Sequence, residues 1–111
     1  MIQLQNAFVV ILAQLLTASW DIVNVRYENY QVARNDRREI FQAAYERGGD
    51  RIAIRLPLEA LDILKELEEQ RPEGQEESWT WLEFFMDSSG TYRFEYKYGV
   101  PPSIVEQLKY S

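Results

Sequence analysis

The sequence predicts a small α+β domain, an antiparallel sheet with helices packed on it, in the order α-β-β-(β)-α-β-β-α. Three observations predict it. Apolar residues recur at helical spacing over 2–17 and again over 58–67. Period-two alternation marks 20–32 and both flanks of "DSSG" at 87–90. A chain of 111 residues has room for one hydrophobic core, so residues 1–111 are read as a single domain.

In the first segment Leu4, Phe8, Ile11, Leu12, Leu15 and Leu16 share one side, and Gln3, Asn6 and Gln14 mark a thin polar strip. Such a helix is expected to be covered on most of its circumference. "AFVVILAQLLTAS" imitates the apolar part of a secretory leader, yet no Lys or Arg precedes Arg26, so the positive n-region is missing. The unbroken apolar run from Ala7 to Ala13 is too short for a membrane span. The expectation is a cytoplasmic protein with no membrane partner.

"WDIVNVRYENYQV" (20–32) alternates, with Val23, Val25 and Tyr27 on one face and Asn24, Arg26 and Glu28 on the other, a half-buried strand. "NDRREIFQAAYERGGD" (35–50) carries two conflicting signals. Asp36 with Glu39 forms a capping box, and Gly48 suits a helix C-cap. Equally, Phe41, Ala43 and Tyr45 alternate, and Gly48-Gly49 can turn a hairpin into "RIAIRL". Local rules lean to helix. The next segment is plainer: Pro57 suits a first helical turn, Leu58, Leu61, Leu64 and Leu67 form a stripe, and Pro72 and Gly74 end it.

Residues 77–99 hold eight aromatics, and register decides what those rings do. Pairing Asp87 with Thr91 around a three-residue loop, with Gly90 as the left-handed residue of a G1 bulge, sets Met86 against Tyr92, Phe84 against Phe94, Leu82 against Tyr96 and Thr80 against Tyr98. One face becomes apolar: Leu82, Phe84, Met86, Tyr92, Phe94 and Tyr96 are the expected core. The other face carries Trp79, Trp81, Glu83, Phe85, Arg93, Glu95 and Lys97. There Phe85 meets Arg93, Trp81 meets Lys97, and Glu83 meets Glu95. That like-charge pair is either relieved by Arg93 and Lys97 or left to receive a cation from outside. A short helix follows from Pro102.

Composition closes many chemistries. The chain has neither Cys nor His, which removes thiol chemistry, the usual neutral-pH base and the ligands of a structural zinc site. No phosphate-binding loop, nucleophile elbow or calcium loop occurs. Glu83 and Glu95 loosely resemble the carboxylate pair of a hydrolase, but so short a chain has little surface to build a substrate cleft. The reading is a non-enzyme with no cofactor, no metal and no catalytic residue.

Net charge is −6, and residues 59–83, with nine acids and two bases, contribute −7 of it. Such a patch repels nucleic acid and attracts a basic protein.

"WTWLEFFMDSSGTYRFEYKYG" resembles the C-terminal hairpin of YezG-like immunity proteins, with Trp79, Thr80, Asp87, Gly90, Phe94, Tyr96 and Tyr98 at the matching positions. Upstream, Trp20 and Val23 resemble that family's first strand, Phe41 to Tyr45 its aromatic second strand, and "RLPLEALDILKELEEQ" its long helix. The segment between Arg55 and Trp79 is shorter than usual, and "QAAY" is less aromatic. The resemblance implies strand over 38–47 and an antitoxin that neutralises the cognate toxin domain of a polymorphic or contact-dependent inhibition system, often a nuclease. Glu66, Glu69, Glu73, Glu76 and Glu77 are the first candidates for partner contact, and Trp81, Glu83, Phe85 and Glu95 the second. The alternative is an oligomeric scaffold using the Trp79, Trp81 and Phe85 face.

Overall fold

The computed structural model describes residues 2–16, 19–69 and 79–109. Its elements are α1 (Ile2–Leu15), β1 (Ile22–Ala33), β2 (Asp36–Arg47), β3 (Asp50–Ala53), α2 (Leu58–Glu69), β4 (Trp81–Asp87), β5 (Tyr92–Lys97) and α3 (Pro102–Lys109). The five strands form one antiparallel sheet in the order β3-β2-β1-β4-β5. The α+β class and the order of elements agree with the sequence expectation, with the optional strand present as β3. Among the described residues no helix is long and apolar enough to cross a membrane.

β1 is the centre because its alternation suits a strand paired on both edges. Val23 lies between Tyr45 and Met86, Val25 between Ala43 and Phe84, and Tyr27 between Phe41 and Leu82. All three β1 side chains are buried on the same, inner face. The 35–50 segment resolves to strand and turn, against its capping signals. A cap contributes about 1 kcal/mol. Pairing along β1 from Ile22↔Glu46 to Ala33↔Asp36 offers far more, and it seats Ala43 and Tyr45 on the core. Gly48 and Gly49 have φ of 58° and 88°, the conformation of a two-residue hairpin turn whose twist matches the strands.

Both long helices lie on the inner face. Phe8 of α1 packs edge-on against Phe84, with ring centroids 5.2 Å apart. Leu12 joins it, and α2 contributes Ala60, Leu64 and Leu67 to the same cluster. Burying each such large side chain favours folding by about 1.5–3 kcal/mol before entropy costs. One sheet face has to shelter two helices side by side, so α1 is less covered than its composition suggests: Ile2 is 72% and Val10 53% exposed. α3 starts at Pro102 and caps the other, outer face at one end, where Ser103 donates from its amide (3.2 Å) and its hydroxyl (2.7 Å) to the Glu28 carboxylate.

The aromatic hairpin has the predicted register from Trp81↔Lys97 to Met86↔Tyr92. Asp87 donates its amide to the Thr91 carbonyl at 2.9 Å, and Gly90 (φ 90°) fills the left-handed position. Two details differ. Tyr92 is 39% exposed, because β5 is an edge strand with no strand beyond it among the described residues. The Thr80–Tyr98 pair does not form. β5 stops at Lys97, and the Thr80 hydroxyl instead donates to the Gly99 carbonyl at 2.7 Å.

Candidate partner-binding surfaces

The outer face of the sheet is built by the residues between the core positions. Its rows run Ile40–Glu28–Trp81–Lys97, then Gln42–Arg26–Glu83–Glu95, then Ala44–Asn24–Phe85–Arg93. The expected mixed surface of Trp81, Glu83, Phe85 and Glu95 is therefore one contiguous patch. The Arg93 guanidinium stacks 4.2 Å from the centroid of the Phe85 ring. Glu95 is held by its own strand neighbours, Arg93 Nε at 3.3 Å and Lys97 Nζ at 3.8 Å. Arg26 turns to Glu28 at 3.1 Å and donates to the Gln42 side chain at 2.6 Å. Glu83, although flanked by Arg26 and Glu95 in register, makes no ion pair among the described residues. Of the facing carboxylates, one is compensated internally and the other is not.

Trp79 does not belong to this face. It is 2% exposed and packs against Tyr27 and Tyr96 at centroid distances of 5.8 and 5.6 Å, on the inner side. Parity puts it beside Trp81 only if the strand extends that far. β4 starts at Trp81, and the bend at Thr80 rotates Trp79 into the core. Trp81 is half-buried, with its indole nitrogen enclosed and without a hydrogen-bond partner among the described residues. A broad exposed patch of Trp79, Trp81 and Phe85 is thus not what the sheet presents.

The acidic candidates lie on the opposite side of the molecule. Ala60, Leu64 and Leu67 face the core, so the helical period turns Glu59, Asp62, Glu66 and Glu69 outward, and all four are exposed. They form a ridge roughly 15 Å long, and none of them makes an ion pair among the described residues. Glu59 and Asp62 extend the ridge beyond the candidates named from sequence, and the i, i+3, i+7, i+10 spacing is the signal that finds them. Glu73, Glu76 and Glu77 lie outside the described residues.

α2 is tied down on its flank by a polar bridge to the sheet. Arg37 Nε donates to Asn29 Oδ1 at 2.6 Å and its guanidinium reaches Glu68 at 4.0 Å; Lys65 reaches Glu39 at 4.0 Å. Asn29 in turn donates to the Tyr27 hydroxyl at 3.2 Å. Burial holds the Tyr27 proton on well above the usual phenol range, the Glu39 carboxylate adds to this, and the Asn29 hydrogen bond opposes it. Lys65 and Glu68 are thereby engaged with the sheet, while the ridge carboxylates point away from it.

Strand parity also misses the role of Glu28. Alternation puts it on the polar face, yet it is 1% exposed, paired with Arg26 and capped by Ser103. The signal that could find it is Pro101-Pro102, opening a helix that needs a partner for its first amides.

A concavity of about 500 Å³ opens between α2 and the β2–β3 edge and is lined by Phe41, Ala43, Ile54, Arg55, Leu56 and Leu61 among others, with no carboxylate. Phe84 is fully buried rather than lining a cavity. Among the described residues no group of three or more acidic side chains is placed to hold a metal ion. A scan against protein-family models matches none, and a search of the curated proteins finds no match.

Proposed function

We propose that the chain is an immunity protein that binds and neutralises a basic toxin domain, without catalysis, through the acidic ridge of α2. The observation that carries this reading is the row Glu59, Asp62, Glu66 and Glu69, exposed and without cationic partners among the described residues. The placement of Glu66 and Glu69 is costly to the chain itself. The last turn of α2 has no basic residue, and carboxylates near a helix C-terminus oppose the macrodipole by about 0.3–1 kcal/mol each. A cationic surface docked there removes that cost and accelerates encounter. A nuclease, which needs a basic surface to hold phosphates, is the class of toxin such a ridge fits best. The resemblance of the 79–98 hairpin to YezG-like immunity proteins points the same way.

One observation favours a second contact on the outer face. Glu83 stands half-buried between Trp81 and Phe85 with no cation of its own among the described residues, and it suits a Lys or Arg side chain from a partner. The sheet separates the two surfaces, so a compact toxin uses one of them. The ridge is the larger and carries the same sign throughout.

The test is co-expression with a toxin domain taken from the C-terminus of a large protein encoded next to this chain. Growth is rescued by the wild-type chain and lost with Glu59, Asp62, Glu66 and Glu69 all changed to Lys. Rescue undiminished by those changes moves the interface off α2, and no rescue by the wild type removes the reading.

A further inference from the structure

We infer that the free edge of β5 is a self-complementary surface through which two copies of the chain join into one continuous sheet. This goes beyond toxin binding and does not depend on it. Among the described residues β5 ends the sheet and, unlike the four-residue β3 at the other end, is six residues long with no proline. The carbonyls of Thr91 and Lys97 accept from β4 and its flank. By the antiparallel alternation Arg93 and Glu95 also face β4, so Tyr92, Phe94 and Tyr96 direct their N–H and C=O groups to the open edge. An edge of this kind is a template for another strand unless something guards it.

The charges on this edge guard it poorly against its own copy. Place a two-fold axis at Phe94. Phe94 then faces Phe94 and Tyr92 faces Tyr96, and these are the residues with outward main-chain groups, giving roughly six hydrogen bonds between chains. On the outer face Arg93 of each copy falls opposite Glu95 of the other, and Lys97 opposite Thr91. Moving the axis to Arg93 or Glu95 sets like charges against each other. The best-overlapped register is thus also the charge-matched one.

α1 supplies a second, independent observation. The Tyr92 hydroxyl donates to Asn6 Oδ1 at 3.1 Å, which fixes the flank of α1 that overlies β5. That flank is Ile2, Asn6, Val9 and Ala13, at i, i+4, i+7 and i+11, and the whole helix carries no charge. Ile2 is 72% exposed. Joining two β5 strands brings these uncharged flanks of the two helices toward each other across the axis. The occupant is a second copy because both strips complement themselves.

The experiment is native mass spectrometry and sedimentation equilibrium of the full chain over a range of concentrations. The expected species is a dimer of the 13.2 kDa chain. Arg93→Glu places Glu against Glu, and Glu95→Arg places Arg against Arg. Each alone weakens dimerisation roughly tenfold or more, while circular dichroism shows an unchanged fold, since Arg93 is exposed and Glu95 only half-buried, both on the outer face away from the core. Mixing the two variants recovers a heterodimer, because each then presents the charge the other lacks. A single-chain mass at every concentration overturns the inference. So does a dimer indifferent to both substitutions, or a mixture that fails to associate.

Discussion

Phe84 and Phe85 are adjacent in β4 and put their rings on opposite sides of one sheet. Phe84 is fully buried against Phe8 and Phe94; Phe85 is half-buried beneath the Arg93 guanidinium. The first ring holds the fold together and the second leaves a surface that another molecule can use. The difference between them is a matter of which face has helices on it, and it teaches that aromatic content alone says little about function in a chain like this.

The sharpest way to break that contrast is to truncate both rings. Phe84→Ala is expected to cost about 3–5 kcal/mol, as large core truncations do, a large part of the stability of a domain this size. Phe85→Ala is expected to cost about 1–2 kcal/mol, for a half-buried ring and a partly exposed cation–π contact. Denaturant titration measures both. Equal costs mean the outer face is as buried as the inner one.

A smaller effect belongs to the end of the outer face where a charge is buried. Glu28→Ala leaves the enclosed Arg26 Nε and the first amide of α3 without their carboxylate. A loss of about 3 kcal/mol is expected, at the low end for a broken buried pair because Arg26 keeps some contact with water. Glu28→Gln retains the Ser103 contact and loses less. The same urea titration separates them.

Titration distinguishes the two sides further. Tyr27, on the inner side, keeps its proton in the fold above its ordinary value of 10.0, chiefly because it is buried. The raised value means its contribution is whole below pH 10 and is lost as pH rises from there, where the unfolded chain ionises first. Tyr27→Phe flattens that alkaline decline in a pH series of unfolding midpoints. Asp87 at the exposed hairpin turn behaves oppositely. The Ser89 hydroxyl, with the amides of Ser89 and Thr91, holds its carboxyl below the ordinary 3.8. Its contribution is present above that value and disappears as pH falls through the lowered one, so Asp87→Asn removes the most acid part of the pH dependence and little else.

Smallest in stability and most informative is the ridge. Glu66→Gln with Glu69→Gln is expected to stabilise the fold by a few tenths of a kcal/mol each, since both oppose the α2 dipole. Binding should weaken at the same time. A change that raises stability and lowers affinity marks a residue kept for its partner.

Much of this was legible in the sequence. The hairpin register followed from one choice of loop length, because the wrong choice sets Arg93 against Phe84. The 35–50 segment was not legible from its own residues. Asp36 and Glu39 carry a helix signal, and only the long partner strand β1 outweighs it. Trp79 misled for a different reason, since alternation predicts a face only as far as the strand runs. The acidic candidates Glu66 and Glu69 and the mixed patch of Trp81, Glu83, Phe85 and Glu95 were each recognisable. That the sheet stands between them was not, because it depends on which face α2 crosses.

The most direct measurement is the association rate of the toxin domain with wild type, with the ridge quadruple Lys variant, and with Glu83→Lys, each at low and high salt. The prediction is a wild-type rate that falls steeply with salt, a ridge variant that is slow and nearly salt-independent, and a Glu83 variant close to wild type. A ridge variant that associates at the wild-type rate in low salt, beside a Glu83 variant that does not, contradicts the assignment and places the contact on the outer face.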